Sequence, residues 1–158
     1  MAAATPAIRA SLLDVGGLCV DVVGDSGVVR LVDGVSLSLA PGEALGLVGE
    51  SGCGKSVTAM SLLRLMPEPP IRVSVGHIAF EGVDLARVPM RQIRELRGSR
   101  IGMVFQEPMT SLNPTFTIGW QLEETLRLHM ALGRAARRER LLDVLAHVGM
   151  GGAAQRLG

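Results

Sequence analysis

Eight residues, GESGCGKS at positions 49–56, constrain the fold of this chain more than any other segment. They fit the pattern glycine, four residues, then Gly-Lys-Ser at every fixed position. Small residues in this pattern let several backbone N–H groups converge on a polyphosphate, because no Cβ atom stands in the way. Lys55 can then reach the β- and γ-phosphates, and the Ser56 hydroxyl can ligate Mg²⁺. The segment therefore predicts a phosphate-binding loop.

The segments on either side of the loop agree with this prediction. Residues 44–48, ALGLV, are a short apolar run of the kind that forms a buried parallel strand. Residues 57–66, VTAMSLLRLM, suit a helix that Pro67 ends. The alternative is a glycine-rich turn that matches by chance, and the order of strand, loop and helix argues against it. We assign nucleotide-phosphate binding to Gly49, Glu50, Ser51, Gly52, Cys53, Gly54, Lys55 and Ser56.

Composition and charge limit the classes of protein to which this chain can belong. Hydrophobic residues make up 47% of the 158 residues and aromatic residues 3%, so the core of one domain must be largely aliphatic. A formal net charge of +1 gives no case for a nucleic-acid partner. No apolar run approaches the ~20 residues that span a bilayer. Residues 1–17 also lack the basic start and long apolar core of a signal peptide, so a cytosolic protein is the default expectation.

The two cysteines, Cys19 and Cys53, exclude a disulfide framework and give no metal-binding spacing. Cys53 lies inside the predicted phosphate loop. One interpretation is a small residue at a permissive loop position. The other is an accessible thiol whose alkylation would block nucleotide binding.

Hydrophobic patterning and turn residues predict the elements around the loop. A disordered lead-in at 1–11 precedes them, and the turn GDSG at 24–27 joins the first two strands. A short helix is predicted at 89–96, with a proline in its first turn. The predicted strands, besides the one before the loop, are residues 12–23, 28–39, 76–80 and 101–105.

The last third of the chain predicts two helices. Apolar residues recur at helical spacing within 117–132, namely Ile118, Leu122, Leu126 and Met130. Gly133 ends that helix, and residues 134–148 form the next, with an apolar side made of Leu141, Leu142, Leu145 and Val148. The basic run at 134–140 is interpreted as a solvated helix face rather than a surface for an anionic partner. Residues 149–158 predict a loop.

Four segments in order carry a family resemblance: VDGVSLSLAPGE at 32–43, VGESGCGKS at 48–56, IGMVFQEPMTSLNP at 101–114 and IGWQLEETLRLHM at 118–130. The chain resembles the N-terminal part of the ATP-binding subunit of bacterial ABC importers, in the oligopeptide, dipeptide and nickel branch. The resemblance implies an α/β fold, the P-loop NTPase-type ABC nucleotide-binding domain in truncated form. Its parts would be an N-terminal antiparallel β part, the phosphate-loop strand-helix unit, a Gln-loop strand and a helical subdomain.

The resemblance also divides the chain and assigns roles. Residues 12–116 would form a partial ATP-binding core, 117–149 the helical subdomain and 150–158 a loop at the truncated end. Gln106 resembles the Gln-loop glutamine, which approaches magnesium and the attacking water. A neutral amide at a strand end can ligate a metal and orient water, although a strand-capping polar residue is the alternative.

The implied cofactors are ATP and Mg²⁺, with Ser56 and Gln106 on the metal side. The implied partners are the permease transmembrane subunits, docked on residues 117–148, and a second ATP-binding subunit in a homo- or heterodimer. An extracytoplasmic solute-binding protein would be an indirect partner. These partners imply a peripheral location at the cytoplasmic face of the plasma membrane.

The chain departs from the family pattern on the adenine side. The family usually places an aromatic residue near Val22, where it stacks on adenine. This chain has Val20, Val22 and Val23 there and contains no tyrosine. We therefore expect reduced affinity or relaxed base selectivity. Glu107 also stands where the branch has aspartate, which is a mild change.

The family's Ser-Gly-Gly-Gln signature, an apolar strand ending in Asp-Glu, and the switch histidine are not found in these 158 residues. His77, His129 and His147 are expected at the surface or at strand edges. We expect weak or no ATPase activity from the chain alone, and an uncovered sheet edge that makes the fold marginal. The alternatives are a non-hydrolysing interaction protein that docks on the permease, and a small-molecule kinase, against which the PMTSLNP segment argues.

Overall fold

The computed structural model describes residues 11–106 and 111–157. Residues 1–10 of the predicted lead-in at 1–11, and Glu107, lie outside these residues. Two compact units divide the chain, Met1–Ile93 and Arg94–Gly158. The boundary at residues 116 and 117, implied by the family resemblance, stays a prediction.

A long β-hairpin opens the first unit. Strands β1 (Leu13–Gly24) and β2 (Gly27–Leu39) pair antiparallel, from Leu13 opposite Leu39 to Gly24 opposite Gly27. The tight turn at the predicted GDSG segment follows from its glycines, the second of which has a φ of 126°. Both predicted strands and their turn are confirmed.

The other side of β1 pairs with two shorter strands. Strand β3 (Ile71–Ser74) pairs with the C-terminal half of β1, and β4 (His77–Phe80) pairs with its N-terminal half. Strand β5 (Val83–Asp84) extends the sheet beyond β4. All these pairings are antiparallel. Strand β1 is central because it pairs with β2 on one edge and with β3 and β4 on the other. Strand β4 was predicted from the sequence, whereas β3 and β5 were not.

The core of this unit lies on one face of β1. The side chains of Leu18, Val20 and Ile78 are almost completely buried. Helix α1 (Lys55–Leu62) packs against β1 and β2 and buries Thr58 and Ser61. Packing of these two small side chains of α1 against the sheet therefore holds the segment after the phosphate loop in place.

Helix α1 ends four residues before the predicted end at Met66. The N–H of Leu65 donates to Met60 O at 3.0 Å, and that of Arg64 donates to Ser61 O at 3.0 Å. This pair of bonds is a Schellman closure, and Arg64 takes the left-handed conformation that it requires, with a φ of 51°. The helix therefore stops through local backbone bonding before Pro67 is reached.

Two predicted strands are not formed. Residues 44–48 and 102–105 belong to no strand, and residue 101 makes only a single bridge to Arg97. Val48 and Val104 are 92% and 97% exposed. An apolar run becomes a strand only where a neighbouring strand accepts its backbone bonds, and no described strand pairs with either segment.

Helix α2 (Met90–Leu96) confirms the predicted short helix and buries Ile93. In the second unit, α3 (Ile118–His129) and α4 (Arg134–His147) confirm the two predicted helices, each a little shorter at its end. None of the described helices is both long enough and apolar enough to cross a bilayer.

A small leucine core holds α3 and α4 together. It consists of the buried Leu141, Leu145 and Leu157, with Leu122, Leu126 and Leu142 packed against it. Polar contacts add to this core, because the guanidinium of Arg137 donates hydrogen bonds to Glu123 Oε1 at 3.0 Å and to Leu132 O at 2.6 Å. These contacts fix the helix pair from both its apolar and its polar side.

The predicted apolar stripes and the predicted terminal loop need correction. Ile118, Met130 and Val148 are exposed, because the leucine core covers only the middle turns of each helix. Residues Gly151–Arg156 form a 3-10 helix instead of a loop. Leu157 follows it into the leucine core, and its carbonyl accepts the N–H of Gly119 at 2.9 Å.

Candidate functional site

The phosphate loop turns into α1 at a glycine that no other residue replaces without strain. Gly54 is the N-cap of α1, with a left-handed φ of 93°, and its carbonyl accepts the N–H of Thr58 at 2.8 Å. A Cβ at this position would lie 2.9 Å from Leu31 O and 3.2 Å from Val32 Cγ2. The close approach to β2 and the left-handed backbone both require glycine.

Lys55 places its charge inside the loop. Its Nζ donates to Gly49 O at 2.7 Å and to Glu50 O at 2.6 Å, and lies 3.4 Å from Cys53 Sγ. Lys55 is also the only lysine of the chain. The loop thus wraps around one ammonium group, which is the charge that a polyphosphate requires.

The N-terminus of α1 is open for an anion. No side chain caps it, and its first turn contains no acidic residue. The first N–H groups of any helix have no intrahelical acceptor and carry the positive end of the helix dipole. Ser56 lies exposed in this first turn, so its hydroxyl is free to serve a metal ion beside a phosphate. The residues present therefore fit both a polyphosphate and Mg²⁺.

Cys53 is exposed and faces the interior of the loop. Besides its contact with Lys55, the Sγ atom would lie only 2.6 Å from a Cβ placed on Gly49. A group attached to this sulfur would add volume at the centre of the loop. The geometry agrees with the predicted effect of alkylation, which remains a prediction.

Val22, the predicted adenine-side residue, lies in the middle of a row of three strands. It is half-buried and pairs with Val29 of β2 on one side and Ile71 of β3 on the other. The predicted lack of an aromatic residue extends to all three strands, since none contains Phe, Trp or Tyr. Sequence reasoning missed Ile71, although the alternation of Ile71, Arg72, Val73 and Ser74 was a signal of a strand.

A charged cluster occupies the opposite face of the same strands. Asp21 is buried and accepts from Arg30 Nε at 2.9 Å, while Arg72 lies 3.8 Å away. The hydrogen bond from Arg30 lowers the pKa of Asp21 below its ordinary value, although burial acts in the raising direction. The hydrogen bonds that Arg30 donates to Asp21 and Asp33 raise the pKa of Arg30 above its ordinary value. The cluster is charge-compensated and stabilises the hairpin.

Gln106 lies in the second unit, at an exposed bend next to residues outside the described range. The phosphate loop belongs to the first unit. The proposed positioning role of Gln106 on water and magnesium therefore stays a prediction.

The entry to α3 is held by a set of polar bonds. Gln121 bonds the backbone of Asn113 from both ends of its amide, at 2.8 and 2.9 Å, and Thr117 caps the helix by accepting the N–H of Trp120. The rings of Phe116 and Trp120 stack at 4.4 Å and are both partly exposed. A cavity of about 320 Å³ opens beside Trp120. This surface is aromatic and accessible.

Comparisons with known proteins agree on one family. The model of the ABC transporter family matches residues 32–158. The chain is 44% identical over 146 residues to a probable peptide ABC transporter ATP-binding protein, y4tR of Sinorhizobium fredii, covering 92% of this chain and 44% of that protein. It is 43% identical to the dipeptide transport ATP-binding protein DppD of Bacillus subtilis, over the same shares of the two chains. The chain thus spans under half the length of these relatives.

The fold agrees with the same family. The dimeric structure of MJ0796, a bacterial ABC transporter cassette, superposes with a TM-score of 0.74 at 21% identity. The match covers 87% of this chain and 57% of that cassette. The α/β fold of an ABC nucleotide-binding domain, expected from the sequence, is confirmed.

Proposed function

Because the chain belongs to the ABC transporter family, we propose that it is the ATP-binding part of an importer for peptides or related small solutes. The observation that carries the proposal is the loop itself. A left-handed glycine at the N-cap, a helix N-terminus without a side-chain cap and the only lysine of the chain lie together within residues 49–56. The names of the relatives, which include peptide and dipeptide transport proteins, support the choice of cargo class.

Different groups of the loop would bind the phosphates and the magnesium ion of MgATP. Backbone N–H groups of the loop and of the first turn of α1 bind phosphate oxygens, and Lys55 neutralises the β- and γ-phosphates. Ser56 would ligate magnesium, which would supply charge neutralisation at the phosphates. Gln106 would orient the attacking water. The last role rests on the motif at 101–114.

The helical unit would couple the site to partners. We assign Trp120, whose exposed ring stacks on that of Phe116, to the permease-docking surface within residues 117–148. A second ATP-binding subunit would complete the site, at the cytoplasmic face of the membrane. Because these 158 residues contain no Ser-Gly-Gly-Gln signature, the chain alone would turn over ATP slowly.

Calorimetric titration of the 158-residue chain with ATP, with and without Mg²⁺, tests the proposal. Lys55→Ala removes a charged donor, so its ATP affinity is expected to fall roughly tenfold or more. Arg87→Ala is the matched control, since it deletes an exposed cation of the same unit that pairs with Asp84. Equal losses in both variants would refute the assignment to the loop.

A further inference from the structure

The cavity of about 320 Å³ at the start of α3 has walls of two kinds, and the residues that line it belong to the second unit. Trp120 and the buried Leu141 and Leu157 form a largely apolar wall, whereas Glu123 and Arg138 carry opposite charges. Small-molecule sites measure about 300–1,000 Å³ and combine apolar walls with a few polar groups. The cavity therefore has the size and the lining of a site for a small amphipathic ligand.

The backbone fixes one wall of this cavity. The N–H of Gly119 donates to Leu157 O at 2.9 Å, which joins the first turn of α3 to the residue that follows the 3-10 helix. A Cβ on Gly119 would lie only 2.5 Å from the same oxygen, so this close approach requires a glycine. The cavity is thus already formed without a ligand, and a ligand does not have to open it.

Arg138 gives the cavity a net positive charge. Glu123 also lines it, but its Oε1 accepts from Arg137 Nε at 3.0 Å, so this carboxylate is charge-compensated. Arg138 is exposed, and within residues 11–106 and 111–157 no group forms a hydrogen bond or an ion pair with its guanidinium. The first turn of α3 forms another wall, and the positive end of the helix dipole adds to the same sign. The cavity therefore favours an anion.

A second, smaller cavity beside Trp120 lacks this charge. It measures about 140 Å³, and its charged lining consists of two ion pairs. Arg137 pairs with Glu123 at 3.0 Å, and Arg127 pairs with Glu124 at 3.6 Å. Because each cation there has its own carboxylate, the smaller cavity gives an anion no free partner. The larger cavity is therefore the candidate site.

We propose that the larger cavity binds a small apolar carboxylate, with the carboxylate on the Arg138 guanidinium and the apolar group against Trp120 and the leucines. A guanidinium matches a carboxylate through two parallel hydrogen bonds. A phosphate group, with roughly two negative charges at neutral pH, would exceed the charge of one guanidinium and stand beside the Glu123 carboxylate. The inference goes beyond the proposed function, because it requires neither a nucleotide nor a permease.

The fluorescence of Trp120 reports on the cavity, because Trp120 is the only tryptophan of the chain. The probes are N-acetyl-L-leucine and its neutral amide, N-acetyl-L-leucinamide, which differ only at the carboxyl group. The acid is expected to change the emission of the 158-residue chain saturably, with a dissociation constant on the order of 1 mM. The amide is expected to bind about tenfold or more weakly, because it lacks the charge that Arg138 recognises.

Two arginine variants assign the binding to the cavity. Arg138→Gln should weaken binding of the acid about tenfold or more and leave binding of the amide unchanged. Arg134→Gln is the matched control, because Arg134 is exposed on the same helix and is not among the residues that line the cavity. Glutamine has a helix propensity close to that of arginine, so both variants should fold, and circular dichroism checks this.

Each outcome of these titrations decides the proposal. A loss of affinity confined to the acid and to Arg138→Gln supports it. Equal binding of acid and amide, equal losses in the two variants, or an emission that does not respond to the acid would overturn it. Inorganic phosphate that changes the emission at the same concentration as the acid would also overturn it, since the apolar group would then contribute nothing. All titrations omit nucleotide, so their results are independent of the phosphate-loop assignment.

Discussion

Replacing glycines of the phosphate-loop region with alanine separates backbone strain from close packing. Gly46 has an ordinary φ and open space around it, Gly52 has a φ of 83° with open space, and Gly54 has a φ of 93° and close neighbours. Each alanine adds the same methyl group. Only the local geometry differs, so the three variants form a graded series.

The expected changes in the free energy of unfolding follow from that geometry. Gly46→Ala should be neutral or stabilising by up to about 1 kcal/mol, because alanine restricts the unfolded chain. Gly52→Ala should cost about 1–2 kcal/mol for the left-handed backbone. Gly54→Ala adds an overlap with Leu31 O and Val32, and overpacking of this kind costs about 1–3 kcal/mol more. The expected total for Gly54→Ala is therefore about 2–5 kcal/mol.

Urea unfolding followed by circular dichroism measures the series, and ATP titration of the same samples gives the binding effect. Gly54→Ala should also weaken ATP binding most, because any shift at this residue moves the start of α1. An unfolding free energy for Gly54→Ala equal to that of Gly46→Ala would refute the reasoning about the loop. Equal costs at Gly52 and Gly54 would show that the approach to β2 is not tight.

Three further predictions test other parts of the molecule. Alkylation of Cys53 should abolish ATP binding, and Cys53→Ser should bind ATP and resist the reagent; unchanged binding after complete alkylation would exclude the thiol from the site. The pKa of Asp21 is lowered in the folded state, so its pairing with Arg30 stabilises the fold at pH values above the ordinary carboxyl pKa, and this stability is lost as the pH falls through the lowered pKa; Asp21→Asn should therefore flatten the acid limb of a stability–pH curve. An unchanged acid limb would contradict this. Leu145→Ala should cost about 2–5 kcal/mol in thermal or urea unfolding, against less than about 0.5 for the neighbouring exposed Val144→Ala, and equal costs would argue against the leucine core.

Local patterns accounted for the elements that the sequence predicted correctly. The hairpin is encoded by the glycine-bounded turn at 24–27 and by the alternation in β2. Helices α3 and α4 are encoded by leucines at helical spacing and by the break at Gly133. The loop at 49–56 needed only its own residues, because fixed backbone chemistry defines that motif.

The elements that the sequence did not predict correctly depend on contacts between residues far apart in the chain. The runs at 44–48 and 101–105 have the composition of buried strands, but strand formation depends on a partner that composition does not reveal. Strand β3 has four residues, and its partner β1 lies some fifty positions earlier. Leu157 was assigned to a loop, since only the three-dimensional contact with α3 and α4 shows why it is buried.

Lysine-selective ¹⁵N labelling tests the central claim most directly, because Lys55 is the only lysine and contributes the single lysine amide signal. That amide lies at the first residue of α1, where we propose that phosphate oxygens bind. Titration with MgATP is predicted to shift this signal saturably, and inorganic sulfate at the same ionic strength to shift it far less. A Lys55 signal that stays in place at saturating MgATP would contradict the account.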